Sequence, residues 1–160
     1  MNKRIVFSVA ATSVLAASAV TVASASASTS RPAASPNITR PQTVHLYGYT
    51  NQRTDINVGA KGMSPGDEFV VTQGLFKDGY RVGNDSIVNT FTNNEGASQC
   101  VFTMNLPDGQ VTGQVLIAAR QKSFVAAVTG GSRRYQNSRG QVQVQLLPSG
   151  NIRFTVQLIP

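Results

Sequence analysis

The chain has 160 residues, of which 13% are charged and 41% hydrophobic, and its formal net charge is +7. A single histidine, His45, and a single cysteine, Cys100, exclude a multi-histidine metal centre and an intrachain disulfide. P-loop and dinucleotide fingerprints do not occur, so no metal and no cofactor is expected.

Residues 1–27 read as a secretory signal peptide. Lys3 and Arg4 supply a positive start, Ile5 to Val20 an apolar run, and Ala23 to Ala27 overlapping small-x-small cleavage sites. A membrane anchor is the competing reading, but the run is diluted by Ala, Ser and Thr and falls short of the ~20 strongly apolar residues a spanning helix needs. The expected location is therefore secreted and extracellular, with no membrane partner once the leader is gone. Residues 28–42, STSRPAASPNITRPQ, cannot bury enough apolar surface to offset their conformational entropy and are expected to be a disordered arm. Residues 43–160 then form one domain of about 115 residues, enough for one core and too few for two.

Within that domain, candidate strands run over Thr43 to Thr50, Glu68 to Lys77, Gly83 to Thr92, Ala97 to Leu106, Gln110 to Ala119, Ser123 to Thr129, Gln141 to Leu147 and Asn151 to Ile159. Turns built on Pro, Asx and Gly separate them, among them Ser64-Pro65-Gly66-Asp67, Asn93-Asn94-Glu95-Gly96 and Pro107-Asp108-Gly109. Short strands at even spacing predict an all-β sandwich or up-and-down barrel, and no segment keeps a helical period. In the last two strands Val142, Val144, Leu146, Ile152, Phe154, Val156 and Leu158 alternate with glutamines, Thr155 and Arg153, so one face is apolar and the other wet. The second strand differs: Phe69, Val71, Gln73 and Leu75 share one face and Val70, Thr72, Gly74 and Phe76 the other. Apolar bulk on both faces predicts that the outer wall also packs, against a lid or in a homodimer or homotrimer.

From Ala127 to Gln145 the chain reads AVTGGSRRYQNSRGQVQVQ, with a Gly130-Gly131 pair, Ser132, an aromatic at Tyr135 and Gly140 opening an alternating strand. This resembles the closing hairpin of the allene oxide cyclase and dirigent protein superfamily. VHLYGYTNQRTD at Val44 to Asp55 is similar to that family's first strand, and SPGDEFVVTQGLF at Ser64 to Phe76 to its Gly-Asp corner and second strand. The resemblance implies a closed antiparallel eight-stranded β-barrel of calycin or lipocalin-like architecture. It turns Leu46, Gly48, Thr50 and Gln52 inward, along with Val71, Gln73 and Leu75, and counting by two from Gly83 adds Asp85, Ile87, Asn89 and Phe91. Thr50, Gln52, Val71, Gln73, Leu75, Asn89 and Tyr135 are thus the expected ligand-binding residues, and Asp85 the expected catalytic acid or base. Two competing readings stand beside these: amides that satisfy one another in a filled core, and an Asp85 that, beside Asn84, is a turn or rim residue.

The chain also departs from the family. The carboxylate that allene oxide cyclases place at the end of the first strand falls on Thr50, and their third-strand cysteine falls near Asn89. The parent cyclisation is therefore not expected, although Gln73 keeps an amide where the family has one. His45 faces outward, and Cys100 reads as a buried small hydrophobe against the alternative of an interchain bridge. Arg133, Arg134 and Arg139 lie in one loop, placed at the barrel mouth as a solvated rim or a site for anions, cell-wall polymer or nucleic acid. With Tyr135 the only aromatic beside them, no nucleic-acid partner is expected. The reading that results is a barrel that binds a small hydrophobic or phenolic intermediate and steers its cyclisation or coupling. Its alternative is a secreted non-catalytic module that binds a ligand or a surface.

Overall fold

Period-two alternation, interrupted at bulges, runs through the strands of the structure, a computed structural model that describes residues 38–59 and 61–160. The expected leader and most of the expected arm lie outside the described residues. The strands are β1 (Gln42–Ile56), β2 (Glu68–Lys77), β3 (Tyr80–Phe91), β4 (Ser98–Leu106), β5 (Gly109–Ile117), β6 (Ser123–Gly131), β7 (Arg139–Leu146) and β8 (Ile152–Ile159). Each pairs antiparallel with its neighbour in sequence, and β8 pairs with β1, so the sheet is a closed eight-stranded barrel. Among the described residues there is no α-helix, only one turn of 3-10 helix at Arg133–Tyr135.

Inward-facing residues fill the barrel along its ladders. Leu46, Leu75, Met104, Val111, Val142 and Val156 are at most 1% exposed, and burying side chains of this size stabilises the fold by roughly 1.5–3 kcal/mol each. The outward positions of β7 and β8 carry Gln141, Gln143, Gln145, Arg153, Thr155 and Gln157, as the alternation requires. On the outside of β2, Phe76 packs edge-on against Tyr49 of β1, with ring centroids 5.0 Å apart. Part of the apolar bulk on that outer face is thus consumed within the chain.

Strand direction alternates, so the β1–β2, β3–β4, β5–β6 and β7–β8 connections gather at one end, called the upper end here, and the remaining turns at the other. The lower end is plugged. Tyr135 of the 3-10 turn and Ile38 are 7% and 5% exposed and belong to the core, and the Ile38 N–H donates to the Arg134 carbonyl at 3.1 Å. Two expectations change accordingly. Residues 38–42, expected in the disordered arm, dock against this plug and begin β1. The Arg133, Arg134 and Arg139 loop sits at the plugged end, because it joins two strands whose connection falls on that side.

The Gly-Gly pair serves through close backbone approach and not through positive φ. Gly130 and Gly131 are not among the residues with positive φ, whereas Gly140 has φ +136°. Gly131 is needed for close approach: a Cβ there would stand 2.4 Å from the Tyr135 carbonyl oxygen and 2.8 Å from that of Gln110. At Gly130 the nearest neighbour would be Thr112 Oγ1 at 3.3 Å.

At the upper end the Gly-Asp corner organises the long β1–β2 connection. Asp67 is buried and accepts hydrogen bonds from the backbone N–H groups of Val58 and Ser64, both at 2.8 Å, and from Ser64 Oγ at 3.0 Å. The Val58 N–H, with the Ser64 donors beside it, holds this carboxyl below the ordinary aspartate value.

Candidate functional site

A cavity of about 330 Å³ opens at the upper end of the barrel, within the size range of small-molecule sites. Its walls are aromatic and aliphatic, with Phe69, Phe91, Phe102, Phe124 and Phe154 drawn from five different strands. Polar groups are few and lie where the ladder brings them together. Thr50 of β1 pairs with Gln73 of β2, Gln73 with Asp85 of β3, and Asn89 of β3 with Cys100 of β4.

Gln73 is the centre of this group. Its side chain is fully buried, its Nε2 donates to Thr50 Oγ1 at 3.2 Å, and its Oε1 has no partner. The space for the amide comes from Gly48, where a Cβ would stand 2.5 Å from Gln73 Oε1 and 2.9 Å from the Phe154 ring. Asn89 Oδ1 is likewise buried without a partner. Each such orphaned oxygen costs roughly 1–3 kcal/mol relative to a satisfied one.

Asp85 lies one inward position below Ile87, beneath the cavity floor and off its lining. It is 1% exposed, and neither carboxylate oxygen has a partner with hydrogen-bonding geometry. Burial pushes its carboxyl up from 3.8 to about 7, and the Gln73 backbone N–H offsets only part of that rise. Cys100 lines the cavity and is buried, and desolvation, with the Asp85 charge adding to it, pushes its thiol up to about 11. The thiol is therefore protonated at neutral pH, which makes it a wall residue and a poor nucleophile.

The sequence-derived set divides as follows. Thr50, Val71, Gln73 and Asn89 line the cavity together. Leu75 faces inward but below it, fully buried in the core. Asp85 is in mid-strand, which removes the turn reading of Asn84-Asp85 and places the carboxyl under the floor. Gln52 is a correction. The β1–β2 register shifts between Thr50 and Gln52, so Gln52 pairs with outward-facing Thr72 and is exposed. This bulge at Asn51 breaks the count by two and turns Arg53 toward the cavity instead. Tyr135 is a second correction, because it sits in the plug at the opposite end. His45 is exposed, with Nδ1 3.3 Å from Thr155 Oγ1.

Sequence reasoning missed Arg53, Arg120 and Gln121 at the mouth. Strand parity was the available signal for the last two, since the β5–β6 connection must share an end with the β1–β2 connection.

No protein-family model and no curated protein sequence matches the chain. Among solved structures, a protein described as pyocyanin demethylase is similar over 74% of this chain and all (100%) of its own, at 27% identity and a TM-score of 0.68. The Diels Alderase AbmU from Streptomyces koyangensis is similar over 76% of this chain and 70% of its own, at 15% identity and a TM-score of 0.65. AbnU, an exo-specific intermolecular Diels-Alderase, is similar over 74% of this chain and 97% of its own, at 12% identity and a TM-score of 0.57. The two Diels-Alderase likenesses carry the fold alone. The narrower likeness to allene oxide cyclases rests on the sequence motifs.

Proposed function

We propose that this chain is a secreted barrel that takes a small, largely hydrophobic or phenolic intermediate into its upper cavity and steers its cyclisation or coupling by holding one conformer. The observation that carries this reading is a cavity with largely apolar walls, in which the amides of Gln73 and Asn89 each keep a buried oxygen without a hydrogen-bond donor. An acceptor without a donor selects a ligand that brings one, such as a phenolic or enolic O–H. The structure named as a pyocyanin demethylase, similar at 27% identity, supports a barrel that takes a small molecule. Restricting the geometry of a bound reactant can lower a barrier by as much as ~7–11 kcal/mol in favourable cases, with no covalent chemistry by the protein. Asp85 would act through Gln73 as a positioning residue, its field setting which way a polarised ligand lies.

A non-catalytic carrier is the second reading, favoured by a cavity lining that holds no carboxylate among the described residues. Naphthol and naphthalene, two fluorescent probes that differ by one hydroxyl, test the site. Gln73→Leu is expected to weaken naphthol by roughly 5- to 100-fold, the loss for a buried hydrogen bond, and to leave naphthalene unchanged. Equal affinity of wild type and variant for both probes would remove the lumen as the site. Induced circular dichroism of bound naphthol separates the two readings, being strong for a guide that fixes one orientation and weak for a carrier that allows many.

A further inference from the structure

The cavity mouth carries a charge asymmetry that the hydroxyl-binding floor does not explain. Among the described residues, Arg53 and Arg120 are the two formally charged residues on the lining, and no Asp or Glu accompanies them there. β1, which carries Arg53, and β5, which leads into the Arg120 turn, stand four strands apart in a ring of eight. The two guanidinium groups therefore approach the mouth from opposite sides.

They are held in different ways. The Arg53 guanidinium lies 4.3 Å from the centroid of the Phe69 ring and is paired with Asp55, with Nη2 to Oδ1 at 2.6 Å. Its charge is thus largely answered within β1. Among the described residues no carboxylate pairs with Arg120. Its backbone has φ +62°, a conformation that a residue with a Cβ adopts only under constraint. Gln121 supplies that constraint: its Oε1 accepts from the Ala118 N–H and its Nε2 donates to the Ser123 carbonyl, both at 3.0 Å. The turn is laced so that an unpaired cation stands at the rim of an apolar cavity, where low-dielectric walls focus its field.

We propose that the ligand carries an anionic group, a carboxylate or an equivalent oxyanion, that Arg120 holds at the mouth with Arg53 opposite, while its hydrophobic body lies among the phenylalanines below. The proposal rests on the upper cavity being the binding site. The two ends of the cavity then sort the ligand's polar groups by type. An anion is stabilised at the cationic, solvent-facing rim, and the buried acceptors and the carboxyl of Asp85 disfavour it at the floor and select a donor there instead. The ligand enters in one orientation, donor first and anion last.

Anilinonaphthalene sulfonate and phenylnaphthylamine share one ring system, differ by the sulfonate, and both fluoresce on entering an apolar cavity. Wild type is expected to bind the sulfonate roughly tenfold more tightly at low salt, the scale of one charge-assisted contact, with the advantage fading as ionic strength rises. Arg120→Gln is expected to abolish most of that advantage and Arg53→Gln less of it, while affinity for phenylnaphthylamine stays constant and reports an intact cavity. Equal affinity of wild type for both probes would overturn the anion proposal and leave the cavity as the site. A sulfonate preference that survives the double variant would overturn the role of the arginines. Failure of both probes to bind would overturn the cavity reading itself.

Discussion

Asp85→Asn tests the electrostatics of the barrel interior by a change of one atom. In the folded chain burial raises the Asp85 carboxyl from 3.8 to about 7, so between those values the folded state holds a proton that the unfolded state has released. Stability must then fall as pH rises through that window and level off above it. At ~1.36 kcal/mol per pKa unit the full difference is up to about 4 kcal/mol. Asparagine has nearly the same shape and cannot ionise, so the variant is free of this decline. Asp55 and Asp67 act with the opposite sign. Their carboxyls sit below the ordinary value, so what they contribute is present above the unfolded pKa and lost as pH falls through the folded one. That acid limb is common to both proteins and cancels in the difference. Urea denaturation of wild type and variant between about pH 4 and pH 8 reads the difference directly. The variant is expected to gain on wild type by roughly 2–4 kcal/mol across the series, or about 10 °C in Tm near neutrality. Parallel curves would refute the argument, since they would mean that the carboxyl is solvated in the folded chain.

Other expected outcomes follow from the ends and the outer wall of the barrel. Gly131→Ala should destabilise by about 1–3 kcal/mol, as overpacking against fixed backbone does, while Gly130→Ala stays within about 0.5 kcal/mol; thermal denaturation of both variants checks the contrast. Replacing Arg133, Arg134 and Arg139 together by Gln should shift stability by less than about 1 kcal/mol, because the one ion pair involved, Arg134 to Asp108 at 3.5 Å, is on the surface. The same variant should leave probe binding at the upper cavity unchanged in fluorescence titration. Val70, Val88 and Val101 align across β2, β3 and β4 on the outer wall, and light scattering is expected to find a dimer or trimer that covers them. A monodisperse monomer at micromolar concentration would count against that assembly.

Much of this architecture was legible because period two is a strong signal in long strands. β2 matches its expected span, and the inward set of β3, with Asp85, Ile87 and Asn89, follows from counting alone. Counting fails where an extra residue enters, and nothing about Asn51 and Gln52 marks them as a bulge, so counting by two puts Gln52 inside and passes over Arg53. Loops carry no period at all. An aromatic in a polar, basic loop therefore gave no sign that Tyr135 is a plug at the far end. The Gly130-Gly131 pair is legible as a place of close backbone approach, but its partners, Tyr135 and Gln110, are not, since only the folded hairpin brings them together.

The ring closes in one place only. Every ladder but one joins strands consecutive in the chain, and the exception pairs Gln42 with Leu158 and Leu46 with Phe154. Seven ladders can zip locally, each hairpin templating the next, whereas the β1–β8 seam must wait until the chain's two extremes meet and bears the largest loop-closure entropy. The seam is thus the joint whose closure costs the most chain entropy, and when it parts it bares two strand edges at once. Its other consequence is that residues 42 and 158 are neighbours in space, so a short tether could join the ends and the chain could be reopened at Asp78-Gly79 without altering a single ladder. The order in which the strands are synthesised is, for this ring, a convention of where the circle was cut.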